Sequence, residues 1–183
     1  MRVPITIIDR HVHLSKIDAD KLFWFGYKFH IKKKLVQPLE NLCEETLVFK
    51  WANWEIENIQ IILPFKKETQ LELFESDKKI LWDIDKWTFV WTLIWPKWTV
   101  YLNHWINIHY PHIHLSVAQG LDFWFKNNQI VSVKIHWGTN PLFENVKIRA
   151  KDYFEFDFHI GRELANQNWI QKWDWGEIIV KKK

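Results

Sequence analysis

The sequence predicts a mainly β protein built from small barrels or sandwiches, and three observations carry that reading. Short apolar or alternating runs recur along all 183 residues, separated by polar turn segments, and few stretches have helical spacing. A His-x-His-Leu-Ser pattern occurs twice, at His11–Ser15 and His112–Ser116, each time after an apolar run, which indicates duplication within one compact body. No Pro/Gly/Ser-rich linker divides the chain, whose length suits one large domain or two small ones.

Residues 3–8 read as a strand leading into the first histidine pair. Ser15 is an N-cap for a short helix that ends at Trp24-Phe25-Gly26. Leu47 to Phe65 reads as a hairpin, with Leu47–Phe49 pairing Ile59–Ile62. Thr69–Leu73 is a further strand, and Phe89 to Leu102 a second hairpin around Pro96-Lys97. Ile106–Ile108 precedes the second histidine pair, and Ser116–Gln119 starts another short helix. Ile130–Ile135 and Val146–Arg149 are strands. From Phe154 to Ile160 the alternation turns Phe154, Phe156, Phe158 and Ile160 to a core, and Glu155, Asp157 and His159 the other way. A short helix near Glu163–Ala165, a last strand Glu177–Val180 and a solvated Lys181–Lys183 tail complete the chain.

Composition removes several classes of function. A net charge of +3 gives no case for a nucleic-acid or acidic-membrane partner. No apolar run approaches the ~20 residues that span a bilayer, and the N-terminus lacks the pattern of a secretory signal. The single cysteine, Cys43, makes no intrachain disulfide and reads as a small buried residue rather than a nucleophile.

One composition figure is abnormal: 14 tryptophans against 5 glycines. Average usage, about 7%, would give roughly 13 glycines. Trp54, Trp98 and Trp175 fall in segments with turn chemistry, where glycine belongs. The expectation is that many of these tryptophans are glycines in the organism, through a code that reads UGA as glycine. The alternative is an aromatic-rich binding surface.

Histidines at i and i+2 of an extended chain share a face, so His11/His13 and His112/His114 are each half of a zinc site. One such pair is equally a hydrogen-bonded pair at a strand end; the repetition favours metal. His30, His104, His109 and His136 read as ordinary histidines.

Taken together, Arg10–Ser15, Gln37-Pro38, Cys43–Thr46, Glu55–Asn58, Thr69–Glu72, His112–Ser116, Ile130–Val133 and His159 resemble the PduL-type phosphotransacylases (phosphate propanoyltransferases), from Val3 to about Val180. Trp24, Trp51, Trp54, Trp95, Trp98 and Trp175 fall where that family has glycine. The resemblance implies two small β-barrels, discontinuous in sequence, with short capping helices. One takes residues 1–9 and 110–183, the other 10–109. It implies reversible transfer of a propanoyl or acetyl group between coenzyme A and inorganic phosphate at a dizinc site. His11, His13 and Glu72 would hold one Zn2+, and His112, His114 and His159 the other. Zinc polarises a thioester carbonyl and stabilises a leaving thiolate, which fits that chemistry.

Two positions depart from the family. Lys66 replaces an arginine six residues before Glu72, and Pro111 replaces the arginine before His112. Both remove planar forks suited to phosphate. Lys66 remains the candidate catalytic cation, attracting phosphate. The segment from Leu81 to Trp87 also reads as a shortened loop. Family members inside bacterial microcompartments carry an N-terminal extension. With a first strand starting at residue 3, the expectation here is a cytoplasmic enzyme acting on acyl-CoA and phosphate, with a homodimer compatible. Asp-x-His-x-His is similar to metal-dependent amidohydrolases, but their (β/α)8 barrels need ~250 residues and regular helices. The non-catalytic alternative is a zinc-stabilised β-barrel binding module.

Overall fold

The computed structural model describes residues 1–51, 54–82, 91–96, 98–102 and 106–180, with backbone alone for 79–82. In chain order the elements are β1 (Arg2–Ile8), β2 (His11–His13), α1 (Lys16–Phe23), β3 (Ile31–Lys34), β4 (Asn41–Trp51), β5 (Trp54–Leu63), β6 (Gln70–Leu73) and α2 (Glu75–Trp82). There follow β7 (Trp91–Trp95), β8 (Trp98–Leu102), β9 (Ile106–Ile108), β10 (His112–Leu115), α3 (Val117–Asp122), β11 (Ile130–Ile135), β12 (Leu142–Ala150), β13 (Asp157–Gly161), α4 (Arg162–Gln167) and β14 (Trp175–Ile179). They form two compact units: Met1–Ile8 with Val36–Pro38 and Tyr110–Lys183, and Asp9–Leu35 with Leu39–His109.

The first unit is a closed six-stranded barrel in the order β1-β13-β10-β12-β11-β14. Val3, Ile5, Ile113, Val133, Ile148, Phe158 and Ile160 alternate inward to fill it. Closure depends on β14 lying between β1 and β11, with Val3 and Ile135 both opposite Gly176. A Cβ on Gly176 would come within 2.5 Å of Val133 Cγ1, so only glycine lets those strands meet.

The second unit is a curled eight-stranded sheet, β8-β7-β4-β5-β2-β6-β9, with β3 paired to β4. Its core gathers Val12, Leu14, Leu47, Phe49, Ile59, Ile61, Leu71 and Leu73 under Leu22 and Phe23 of α1. The helix starts where the local chemistry says it should: Ser15 Oγ accepts the Asp18 N–H at 3.1 Å. In the first unit Ser116 caps α3 in the same way, and Gln119 completes a capping box.

Several local readings change. Trp51 pairs with Trp54, so Trp54 opens β5 rather than sitting inside the turn, whose residues 52 and 53 lie outside the described set. Trp98 likewise opens β8, paired with Trp95. β3 and α2 were not expected. β3 is Ile-Lys-Lys-Lys, exposed throughout, and shows no burial pattern. Phe154 to Phe156 precede the strand rather than join it; within β13 Phe158 and Ile160 face the core and Asp157 and His159 the other way, both faces being buried. Lys181–Lys183, His104 and residues 83–87 of the shortened loop lie outside the described residues.

Three tryptophans hold backbone conformations that suit glycine. Trp24, the C-cap of α1, has φ 77° and ψ 158°, a region essentially reserved for glycine. Trp124 has φ 62° and Trp169 φ 55°. Their indoles are 57, 90 and 70% exposed, so little burial offsets the strain.

Candidate metal centres

In the first unit β10 runs between β12 and β13. His112 lies opposite His159 and His114 opposite Asp157 on β13; on the other side His112 meets Lys147 and His114 meets Arg149 on β12. Since Ile113, Ile148 and Phe158 point into the barrel, these six residues share its outer face. The donor atoms of His112, His114 and His159 lie within 4.8 Å of one another, and all three rings are buried. His112 Nδ1 donates to the Tyr110 carbonyl at 2.8 Å, which leaves Nε2 as the lone-pair nitrogen. His159 Nε2 donates to Asp157 Oδ2 at 3.1 Å, which leaves Nδ1. The His114 ring stacks on Phe154 at 4.0 Å and 16°. Burial, and then the Arg149 guanidinium beside it, hold the His112 imidazole far below its usual range, neutral as a metal ligand must be. Asp157 is 1% exposed, and its Oδ1 accepts no hydrogen bond among the described residues. A buried carboxylate so placed is costly without a cation, and a metal among the imidazoles would offset it. The donor set fits zinc.

In the second unit β2 runs between β5 and β6 in the same relation. His11 lies opposite Glu72 and His13 opposite Gln70, while Gln60 pairs His11 from β5. His11 Nδ1 donates to the Asp9 carbonyl at 2.9 Å and His13 Nδ1 to the Ile62 carbonyl at 3.1 Å, so each presents Nε2. His11 Nε2 is 3.7 Å from Glu72 Oε2. Burial, then the neighbouring His11 and Lys66, push His13 down to about 3. These residues fit a cation as two imidazoles and a carboxylate, but more loosely: among the described residues, only the other trio brings three donors within 4.8 Å.

Lys66 forms a bridge with Ser15, its N–H donating to the Leu14 carbonyl at 2.9 Å, and its charge acts on His13. Arg10 makes two bonds of 2.8 Å to Asp77 and lies over the Phe74 ring, which ties the start of β2 to α2. Cys43 is buried, and desolvation pushes its thiol up to about 12, which removes it as a nucleophile. His30 pairs with Glu45 and His136 with Glu177, as ordinary histidines do. Gln37 bonds both backbone groups of Glu155 within the first unit.

Sequence reasoning did not find Asp157, Arg149 or Asp77 as parts of these centres. Asp157 carried a signal, since it shares an alternating face with His159. Arg149 and Asp77 carried none, because both act through long-range register.

The phosphate propanoyltransferase family matches residues 4–171. A phosphate propanoyltransferase of Enterococcus faecalis is 32% identical over 179 residues, covering 93% of this chain and 84% of that protein. Those of Clostridioides difficile and Thermotoga maritima are 31% and 28% identical, covering 94 and 96% of this chain and 86 and 88% of theirs.

Proposed function

The chain belongs to the phosphate propanoyltransferase family, a family of acyltransferases, and on that premise we propose that it transfers a propanoyl or acetyl group reversibly between coenzyme A and inorganic phosphate with the help of two zinc ions. His11, His13 and Glu72 would hold one ion, and His112, His114 and His159 the other. The observation that carries the proposal is the twofold use of one strand register, with a third ligand opposite the first histidine of each pair.

Zinc, when bound, would polarise the thioester carbonyl and stabilise the departing thiolate. The chain's own groups do the rest. The Tyr110, Asp9 and Ile62 carbonyls and the Asp157 carboxylate each take one imidazole N–H, so the opposite nitrogens are the ones that would hold the metal. A phosphate oxygen attacks the thioester carbonyl carbon, the C–S bond breaks, the electron pair leaves on the coenzyme A sulfur, and acyl phosphate remains. Direct attack is favoured over an acyl-enzyme because the Cys43 thiol is buried and protonated. Lys66 supplies the positive charge that attracts phosphate to the His11 centre, and Arg149 supplies one at the His112 centre. No described helix is long and apolar enough to cross a membrane, and the proposed setting is the cytoplasm.

The test is a coupled assay with acetyl phosphate, propanoyl phosphate and coenzyme A, run alongside zinc analysis. Thioester formation with about two zinc ions per chain is expected. Absence of thioester from zinc-loaded protein would refute the proposal.

A further inference from the structure

Beside the His112 trio, and outside it, lies a cleft of about 370 Å³ lined by Asn127, Asn128, Lys147, Arg149, Ala150, Lys151 and Phe154. Its volume is within the range of small-molecule sites, about 300–1,000 Å³. Three of its walls are cations and none is a carboxylate. Lys147, Arg149 and Lys151 alternate along β12 and its end, so they share a face at roughly 7 Å spacing. That face continues into the metal centre. Lys147 and Arg149 are the register partners of His112 and His114, and Arg149 Nη1 is 3.4 Å from His112 Nε2. Phe154 forms a wall of the cleft and stacks on His114, while Lys151 Nζ lies 5.3 Å from its ring centroid.

The floor is fixed in advance. Asn128 N–H donates to Ile148 O and Ile148 N–H to Gln129 O, each at 2.8 Å. Asn127 Oδ1 accepts the Ala150 N–H at 3.0 Å, so its amide nitrogen is the end left to donate to a ligand. A rigid floor, a row of like charges and no internal counter-charge suit a multiply charged anion with tetrahedral oxygens.

We propose that this cleft binds a phosphoryl group of the substrate next to the His112 centre. The proposal rests on the acyl-transfer reading, in which both substrates carry phosphoryl groups: the phosphate or acyl phosphate itself, and the phosphates of coenzyme A. The cleft leaves the chemistry of the metal centre unchanged and sets where the anionic end of a reactant is held.

The experiment compares zinc-loaded wild type with K147Q/K151Q, both exposed positions whose substitution spares the core. KM is measured for inorganic phosphate or acetyl phosphate, for coenzyme A and for dephospho-coenzyme A, and binding of phosphate and of coenzyme A is read separately by calorimetry. The expected result is an increase in one KM of about tenfold per lost charge, with kcat near wild type and recovery in K147R/K151R. A change confined to phosphate or acetyl phosphate identifies the transferred group as the occupant. A change confined to coenzyme A, smaller for the dephospho form, identifies the carrier's phosphates. Unchanged KM values and unchanged heats for both would overturn the cleft. A wild type that binds as expected but turns nothing over would instead sink the acyl-transfer reading and leave the cleft standing on calorimetry.

Discussion

The two histidine centres are the same device built to different tightness. In each, a His-x-His strand lies between a parallel neighbour and an antiparallel one, and the antiparallel strand sets the proposed third ligand opposite the first histidine. In each, that first histidine gives its Nδ1–H to the carbonyl two residues before it. In each, a serine-capped helix follows. They differ in the charges. The His112 centre has three imidazoles and keeps its carboxylate, Asp157, behind a ring; the His11 centre sets its carboxylate, Glu72, beside the imidazole, as the proposed third donor. The first arrangement has converged on a cation-sized space, whereas the second leaves Glu72 partly exposed. The comparison teaches that register sets which residues meet, and second-layer hydrogen bonding sets how firmly they are held.

The largest expected effect is loss of a ligand. His112→Ala and His11→Ala should each remove about one zinc ion per chain and abolish turnover. During chelator titration followed by elemental analysis, the His11 centre should empty first; simultaneous loss would erase the distinction drawn here. Next is Lys66→Ala, which should cost on the order of 2–4 kcal/mol of transition-state stabilisation, seen when phosphate is varied and absent for coenzyme A. Lys66→Arg should improve phosphate affinity. Unaltered phosphate kinetics in the alanine variant would move the anion contact elsewhere.

Asp157→Asn comes third, with zinc affinity at the His112 centre lowered about 10- to 100-fold and the His11 centre untouched, as read by competition with a chromogenic chelator. Equal weakening of both would mean a global defect. The fourth prediction concerns the helices behind the two motifs. α1 and α3 are each followed by a tryptophan at positive φ, Trp24 and Trp124, where a helix end calls for glycine. Trp24→Gly and Trp124→Gly should each stabilise by about 1–2 kcal/mol in denaturant unfolding. Mass spectrometry of the protein from its own organism should read glycine at both; tryptophan at both would end the recoding idea.

The smallest effect at neutrality is on pH dependence of the metal-free protein. His13 ionises at 6.5 when unfolded but is held at about 3 when folded. Between those values the unfolded chain binds the extra proton, so stability must fall as pH drops below about 6.5. Thermal melts that stay level from pH 7 to pH 4 would contradict the burial of this ring.

Much of this was legible in the sequence where the chemistry is local. Short apolar runs gave β1, β11 and β12, and the serine caps marked the starts of α1 and α3. The histidine pairs announced themselves by repetition. Glu72 and His159 did not: nothing in their spacing ties them to a pair, and they came through family resemblance alone. β3 was missed because an exposed Ile-Lys-Lys-Lys edge has no buried face to betray it. In β13 the alternation separated Phe158 and Ile160 from Asp157 and His159, but it could not show that the polar face is buried as well.

The position of β1 has a consequence for how the protein is made. Its neighbours are β13 and β14, the last two strands among the described residues, with Ile5 against Phe158 and Val3 against Gly176. At roughly 5–20 residues per second, the roughly 150 residues from β1 to β13 take about 8–30 s to synthesise. Through that interval β1 has neither partner, while Asp9–Leu35 and Leu39–His109 can already assemble. An apolar strand left waiting is an invitation to mispairing. Arg2 and Pro4 sit within it, a charge and a missing N–H that discourage foreign strands from docking. The barrel therefore closes late, onto a strand equipped to wait.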